Sequence, residues 1–133
     1  MIRISKKVEY ALLACRYLAK KGDELAAVKE MSDKLKVSYE FLAKTLQKLS
    51  KSGIAKSFQG VSGGYKLMKT PAEISIFEIM AAMDGKNAIV RCISRNGQTC
   101  TGEECTLQLP MSVLQSKFDN ILKSTKLSEM MID

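Results

Sequence analysis

The chain has 133 residues, 46% of them hydrophobic, and a formal net charge of +7, which fits one folded domain with or without an appendage and excludes a wholly disordered chain. No run approaches the ~20 apolar residues of a membrane-spanning helix, and the opening Arg3-Ile4-Ser5-Lys6-Lys7 lacks a secretory apolar core. Histidine is absent, which rules out a Ser-His-Asp triad, a Cys–His pair, a His-ligated zinc and a histidine pH switch.

The expected location is the cytoplasm, where thiols stay reduced and a disulfide framework is not expected. Charge is divided unevenly: residues 1–70 carry +9 and residues 71–133 carry −2. A basic first half facing a near-neutral second half points to a polyanion as partner of the first.

A helix is predicted over 5–20. Ser5 caps it, and Val8, Leu12, Cys15 and Ala19 repeat at helical spacing. Cys15 reads as a small buried hydrophobe on that stripe. Gly22-Asp23 ends the helix. A short second helix follows over 27–35, with Val28, Met31 and Leu35 inward, and Lys36-Val37 form the turn. Ser38 is the expected cap of a third helix, 39–51, whose inner face is Leu42, Leu46 and Leu49. Ser52-Gly53 stops it. A longer helix followed by two short ones across a tight turn is a helix-turn-helix pattern.

Two short strands are predicted next, at 54–58 and 65–68, around the glycine-rich tip 59–64. No Gly-Lys-Ser/Thr ending marks a phosphate-binding P-loop there. A helix-turn-helix followed by such a hairpin is a winged helix. Thr70-Pro71 breaks the chain. A fourth helix starts at Ser75, with Glu78 three residues on as a capping-box partner, and runs through Ile76, Ile79, Met80 and Met83 to Asp84-Gly85.

Residues 91–106 form an Asn-, Gly-, Thr- and Cys-rich loop. The last helix is predicted from near Leu107, with Pro110 tolerated in its first turn. Met111, Leu114, Phe118 and Ile121 form a heptad seam on it, which either folds onto its own domain or pairs with a second copy. The expected organisation is a mainly helical chain with a small β-hairpin wing. It comprises a winged helix-turn-helix over 1–83, a cysteine-containing loop over 84–106, and a dimerisation helix and tail over 107–133.

Two constellations carry chemistry. On the third helix, Ser38, Tyr39 and Glu40 are placed to read base edges of double-stranded DNA, and Glu40 can accept from cytosine N4. Lys44, Lys48, Lys51 and Lys56 are placed on phosphates, with the wing tip, Gln59 and Ser62 included, near the adjacent minor groove. The second is Cys92-x7-Cys100-x4-Cys105. Thiolates suit iron–sulfur clusters or zinc. Three ligands fit a cluster with one labile or non-thiolate position, and equally a bare redox thiol group; zinc also stays open. No nucleophile–base pair, catalytic carboxylate pair or nucleotide loop suggests an enzyme; a cluster-carrying interaction protein that does not bind DNA stays open as the alternative of another class.

Several of these pieces together resemble the IscR/NsrR/CymR family of bacterial winged-helix regulators. They are Arg3-Ile4-Ser5-Lys6 with Tyr10-Ala11-Leu12, Val37-Ser38 through Leu49 with Ser52-Gly53-Ile54, and Gly60-x-x-Gly63-Gly64-Tyr65-x-Leu67. The three-cysteine loop and long final helix extend the likeness over nearly the whole chain. The resemblance implies a homodimeric DNA-binding transcription regulator, mostly a repressor in this family. Its iron–sulfur cluster would report iron–sulfur status, oxidants or nitric oxide, with a 2Fe–2S cluster favoured over a 4Fe–4S one. Cys92, Cys100 and Cys105 would be ligands. IscR-like members place a histidine three residues after the last cysteine; here that residue is Gln108. NsrR-like members use an acidic residue of the partner subunit's first helix, and matching the openings puts Glu9 there. Many members carry an arginine before the first wing glycine, where this chain has Gln59, so minor-groove insertion is expected to be weaker.

Overall fold

The computed structural model describes residues 3–85 and 108–132. Cys92, Cys100, Cys105 and Leu107 lie outside these residues. The described elements are α1 (Lys6–Lys21), α2 (Val28–Leu35), α3 (Tyr39–Lys51), β1 (Ala55–Phe58), β2 (Gly64–Leu67), α4 (Ile76–Asp84) and α5 (Gln108–Ser124). Short 3-10 turns occupy Pro71–Glu73 and Leu127–Met130. Helices α1–α3, the β1–β2 hairpin and α4 build the winged helix that the sequence predicts.

Helix α1 starts where Ser5 Oγ accepts from the Val8 amide at 3.3 Å, and the same hydroxyl donates to Asp84 at 2.7 Å. Packed on α3, α4 and β2, α1 needs a wider apolar face than a single stripe. Val8, Ala11, Ala14, Cys15 and Leu18 are fully buried, whereas Leu12 and Ala19 lie at the margin. Small alanines at 11 and 14 let neighbours approach closely. The predicted inner face of α3 is buried throughout, at Leu42, Leu46 and Leu49. Met31 of α2 and Ile76, Ile79 and Met83 of α4 close the core around it. Each such side chain contributes about 1.5–3 kcal/mol by leaving water.

Two predicted caps differ in detail. Ser38 occupies the N-cap position of α3, but its side chain makes no capping bond and stays exposed. Ser75 does cap α4, accepting from the Glu78 amide at 3.1 Å, yet Glu78 does not close the box. Its carboxylate turns instead to Lys69, 3.6 Å away. A reciprocal box forms one turn earlier, where the Thr70 amide donates to Glu73 at 3.3 Å and the Thr70 side chain accepts in return.

The wing is a two-stranded antiparallel sheet with Ala55 opposite Leu67, Lys56 opposite Lys66, Ser57 opposite Tyr65 and Phe58 opposite Gly64. It is pinned to the α1–α2 connection by a bridge no local pattern announces. Ala26 and Tyr65 exchange N–H···O bonds of 3.0 and 2.9 Å. Gly64 permits this approach, because a Cβ there would stand 2.6 Å from the Ala26 carbonyl oxygen. Gly64→Val should therefore detach the wing from α2. Loss of slow hydrogen exchange at the Ala26 and Tyr65 amides, with α3 amides still protected, is the expected readout.

The tail returns to the winged helix. The Leu127 amide donates to the Ile74 carbonyl at 2.8 Å, and the Ile76 amide donates to Thr125 at 2.9 Å. Leu127 is fully buried in the common core. Leu127→Ala is expected to cost about 2–5 kcal/mol, as buried Leu→Ala changes do, read as a lower urea midpoint with an unchanged slope.

Candidate nucleic-acid interface

The interface follows from which residues the core leaves out of α3. With Leu42, Leu46 and Leu49 turned inward, the opposite face presents Ser38, Tyr39, Glu40, Lys44 and Gln47 to solvent, with Lys48 half-exposed at its edge. These predicted contacts share one surface, with the base-reading set at the N-terminal end and the lysines further along. Lys7, Lys44, Lys48 and Lys51 have no carboxylate partner among the described residues. Among the described residues the charge of these four lysines is therefore left unpaired. Lys56 lies on β1, and Gln59 and Ser62 flank the exposed Val61 at the wing tip.

The face extends beyond the predicted set. Phe41 is 58% exposed, an unusual position for a large apolar ring, and packs against Tyr10 of α1 with centroids 6.0 Å apart. Beside these rings is a groove of about 280 Å³ edged by Lys6, Lys7, Lys44 and Lys48. Thr45 is sealed beneath, its hydroxyl donating to the Phe41 carbonyl at 2.8 Å. The Lys6-Lys7 pair directly after the Ser5 cap was the available signal. It becomes part of the site only because α1 and α3 pack side by side.

Helix α2, which carries the turn into α3, is tied to α1 through Glu30. The Tyr17 hydroxyl donates to Glu30, and Lys21 pairs with it at 3.0 Å. The bond from Tyr17, and then that from Lys21, hold the Glu30 carboxyl below its usual range. Unfolded Glu30 thus takes up its proton at a higher pH than folded Glu30. The stabilisation is complete above the ordinary glutamate range and is lost as pH falls through the depressed value. Acidification below about pH 4.3 should lower the Tm of the natural chain more than that of Glu30→Gln. Parallel thermal melts of the two proteins check this.

Glu9 sits elsewhere on α1. It is half-exposed, paired with Lys6 at 2.9 Å, and borders a groove of about 550 Å³ between α1 and the tail. Leu12, Leu13, Met130 and Ile132 also line that groove. Its predicted cysteine companions lie outside the described residues. Cys15 is fully buried, and burial pushes its thiol up to about 12, so it is an inert core residue as its place on the stripe suggested. On α5 the predicted seam is divided. Leu114 and Ile121 are exposed, Met111 and Phe118 half-buried, and Leu109 and Val113 join the exposed set. The helix instead meets α4, with Lys123 4.7 Å from the Phe77 ring centroid.

A helix-turn-helix with an unneutralised reading helix and a pinned hairpin is the architecture of winged-helix DNA-binding regulators. The family model described as Rrf2, iron-dependent transcriptional regulator, matches residues 4–133, and the chain belongs to that family. A putative HTH-type transcriptional regulator of Aquifex aeolicus is 30% identical over 128 residues, covering 95% of this chain and 89% of that protein. The HTH-type regulator NsrR of Shouchella clausii is 31% identical over 100 residues, 74% of this chain and 67% of the relative. Among solved structures, CymR, the global cysteine regulator of B. subtilis, superposes with a TM-score of 0.78 at 26% identity, covering 98% of this chain and 97% of that one. The chain is a DNA-binding transcription regulator and not an enzyme.

Proposed function

We propose that this chain is a cytoplasmic, homodimeric regulator, acting as a repressor, whose DNA affinity depends on an iron–sulfur cluster. The observation that carries the DNA half is the exposed α3 face, with Ser38, Tyr39 and Glu40 as base readers and Lys44, Lys48 and Lys56 as phosphate contacts. Gln59 and Ser62 lie near the minor groove in this reading. Homodimerisation is supported by α5, which leaves Leu109, Val113, Leu114 and Ile121 in water; Met111 and Phe118 complete the seam. A second copy covers such a stripe and supplies the two reading heads a symmetric operator needs.

Cys92, Cys100 and Cys105 would hold the cluster, with Glu9 of the other subunit as fourth ligand. The donor chemistry fits: three soft thiolates and one exchangeable carboxylate, whose pairing with Lys6 is exposed and weak. The cluster would supply a centre reactive toward oxidants and nitric oxide, with 2Fe–2S favoured. The organisation proposed is a winged helix over 1–83, a cluster loop over 84–106, and a dimerisation helix and tail over 107–133. A thiol-redox or zinc form on the same scaffold is the second reading, resting on the same three loop thiols.

Anaerobic purification with iron and sulfide counted on the coloured protein separates the two. Matched iron and sulfide support the cluster. A colourless protein after reconstitution transfers the role to thiols or zinc. Light scattering on the same sample should give the mass of two chains.

A further inference from the structure

The tip of the wing, residues 59–63, carries no charge, so its affinity for a polyanion must come from elsewhere. We propose that the outer face of the wing stalk grips the DNA backbone through a two-lysine phosphate site, Lys56 and Lys66 arrayed across Phe58. This rests on the reading of the chain as a DNA-binding regulator. Strand alternation turns Ala55, Tyr65 and Leu67 toward the core and leaves Lys56, Phe58 and Lys66 on the opposite face. The ladder sets Lys56 directly opposite Lys66.

Like charges opposed across a ladder destabilise a sheet, so nothing in the folding of the wing calls for this pair. No carboxylate answers either lysine among the described residues. Both ammonium groups are instead drawn over one ring, 5.3 and 5.4 Å from the Phe58 centroid. The ring holds two cations in proximity and leaves their outward side open to an anion. The Ala26–Tyr65 bridge holds the register of β2, and a one-residue slip of that strand would turn Lys66 toward the core. The site is therefore built before DNA arrives. Lys66 is the phosphate contact that local reading of the tip overlooked, and Phe58 is a positioning residue.

The test is a fluorescence-anisotropy titration of a labelled 30-bp duplex over a range of salt, with the natural chain and with Lys56→Met, Lys66→Met, the double change, Lys66→Arg and Phe58→Leu. Each Lys→Met should lower the slope of log affinity against log salt by about 1, and the double change by about 2. The loss should be the same on unrelated duplex sequences. Lys66→Arg should retain the slope. Phe58→Leu should weaken binding less than either Lys→Met while keeping the slope. Relief of the opposed charges should leave the Tm of Lys66→Met equal to or above that of the natural chain. An unchanged slope in Lys66→Met overturns the site while the DNA-binding reading stands. A slope lost equally in Lys66→Arg, or a Tm that falls with affinity in Lys66→Met, assigns Lys66 a structural role and also overturns it. If the natural chain shows no salt-dependent affinity for duplex DNA, both readings fall.

Discussion

Replacing Lys44 and Lys48 of α3 together with glutamate should all but abolish DNA binding without unfolding the protein. The expectation follows from where the charges lie. Neither ammonium has a partner within the described chain, and neither side chain contributes to the core formed by Leu42, Leu46 and Leu49. A unit charge about 4 Å from another is worth about 1 kcal/mol in bulk water. Losing two attractions and gaining two repulsions therefore approaches ~4 kcal/mol at low salt, a weakening on the order of a thousandfold. Added salt should erode the difference. Anisotropy titrations at low and moderate salt, with circular dichroism melts of the same samples, check both halves. A double variant that melts normally and still binds duplex DNA with natural affinity would remove α3 as the reading helix.

The second large effect concerns the thiols. Serine at Cys92, at Cys100 or at Cys105 should each abolish the visible absorbance of anaerobically purified protein and reduce iron and sulfide to background. Alanine at Cys15 should leave both unchanged, because that thiol is sealed in the core and held protonated by burial. Glu9→Ala should load the cluster but lose it faster in air, as expected where one exchangeable ligand is removed. Equal retention of iron in all three cysteine variants would contradict ligation by the loop. Loss in Cys15→Ala, with the fold intact, would place a ligand where the structure buries a hydrophobe.

What could be read from the sequence was local. The 4-3 spacing of Leu42, Leu46 and Leu49 set the buried side of α3, Ser38 and Ser52-Gly53 its bounds, and the glycines of the tip located the hairpin. A serine before each of α1 and α4 marked their starts. Contacts between distant segments were not legible. Ala26 gives no sign that it will bridge to Tyr65, although Gly64 is the residue that permits it. Leu127 looked like part of a tail and completes the core of the winged helix. Phe41 and Tyr10 belong to different helices, so their shared groove with four lysines exists only after α1 and α3 pack. Ser38 matched a capping residue by type, yet its side chain makes no capping bond and stays exposed. Glu78 matched a capping-box partner, yet Lys69 drew its carboxylate away.

The exposed stripe on α5 and the groove beside Glu9 belong to the same expectation. The proposed ligand set takes Glu9 from one chain and the cysteines from the other, so a second copy over Leu114 and Ile121 is also the copy that must reach the α1–tail groove, where Met130 and Ile132 are exposed. Dimerisation and completion of the ligand set would then be one event, and dilution below the dimer dissociation constant should destabilise the cluster as well as weaken operator binding.

The most direct measurement is a titration of one labelled duplex, taken from upstream of the protein's own coding region, with anaerobic cluster-loaded protein and with the same preparation after chelation of its iron. Salt-dependent binding by at least one form, with affinities differing tenfold or more between the two, is the predicted result. Equal affinities for loaded and stripped protein would contradict regulation by the cluster, and no binding by either would contradict the assignment of this face to DNA.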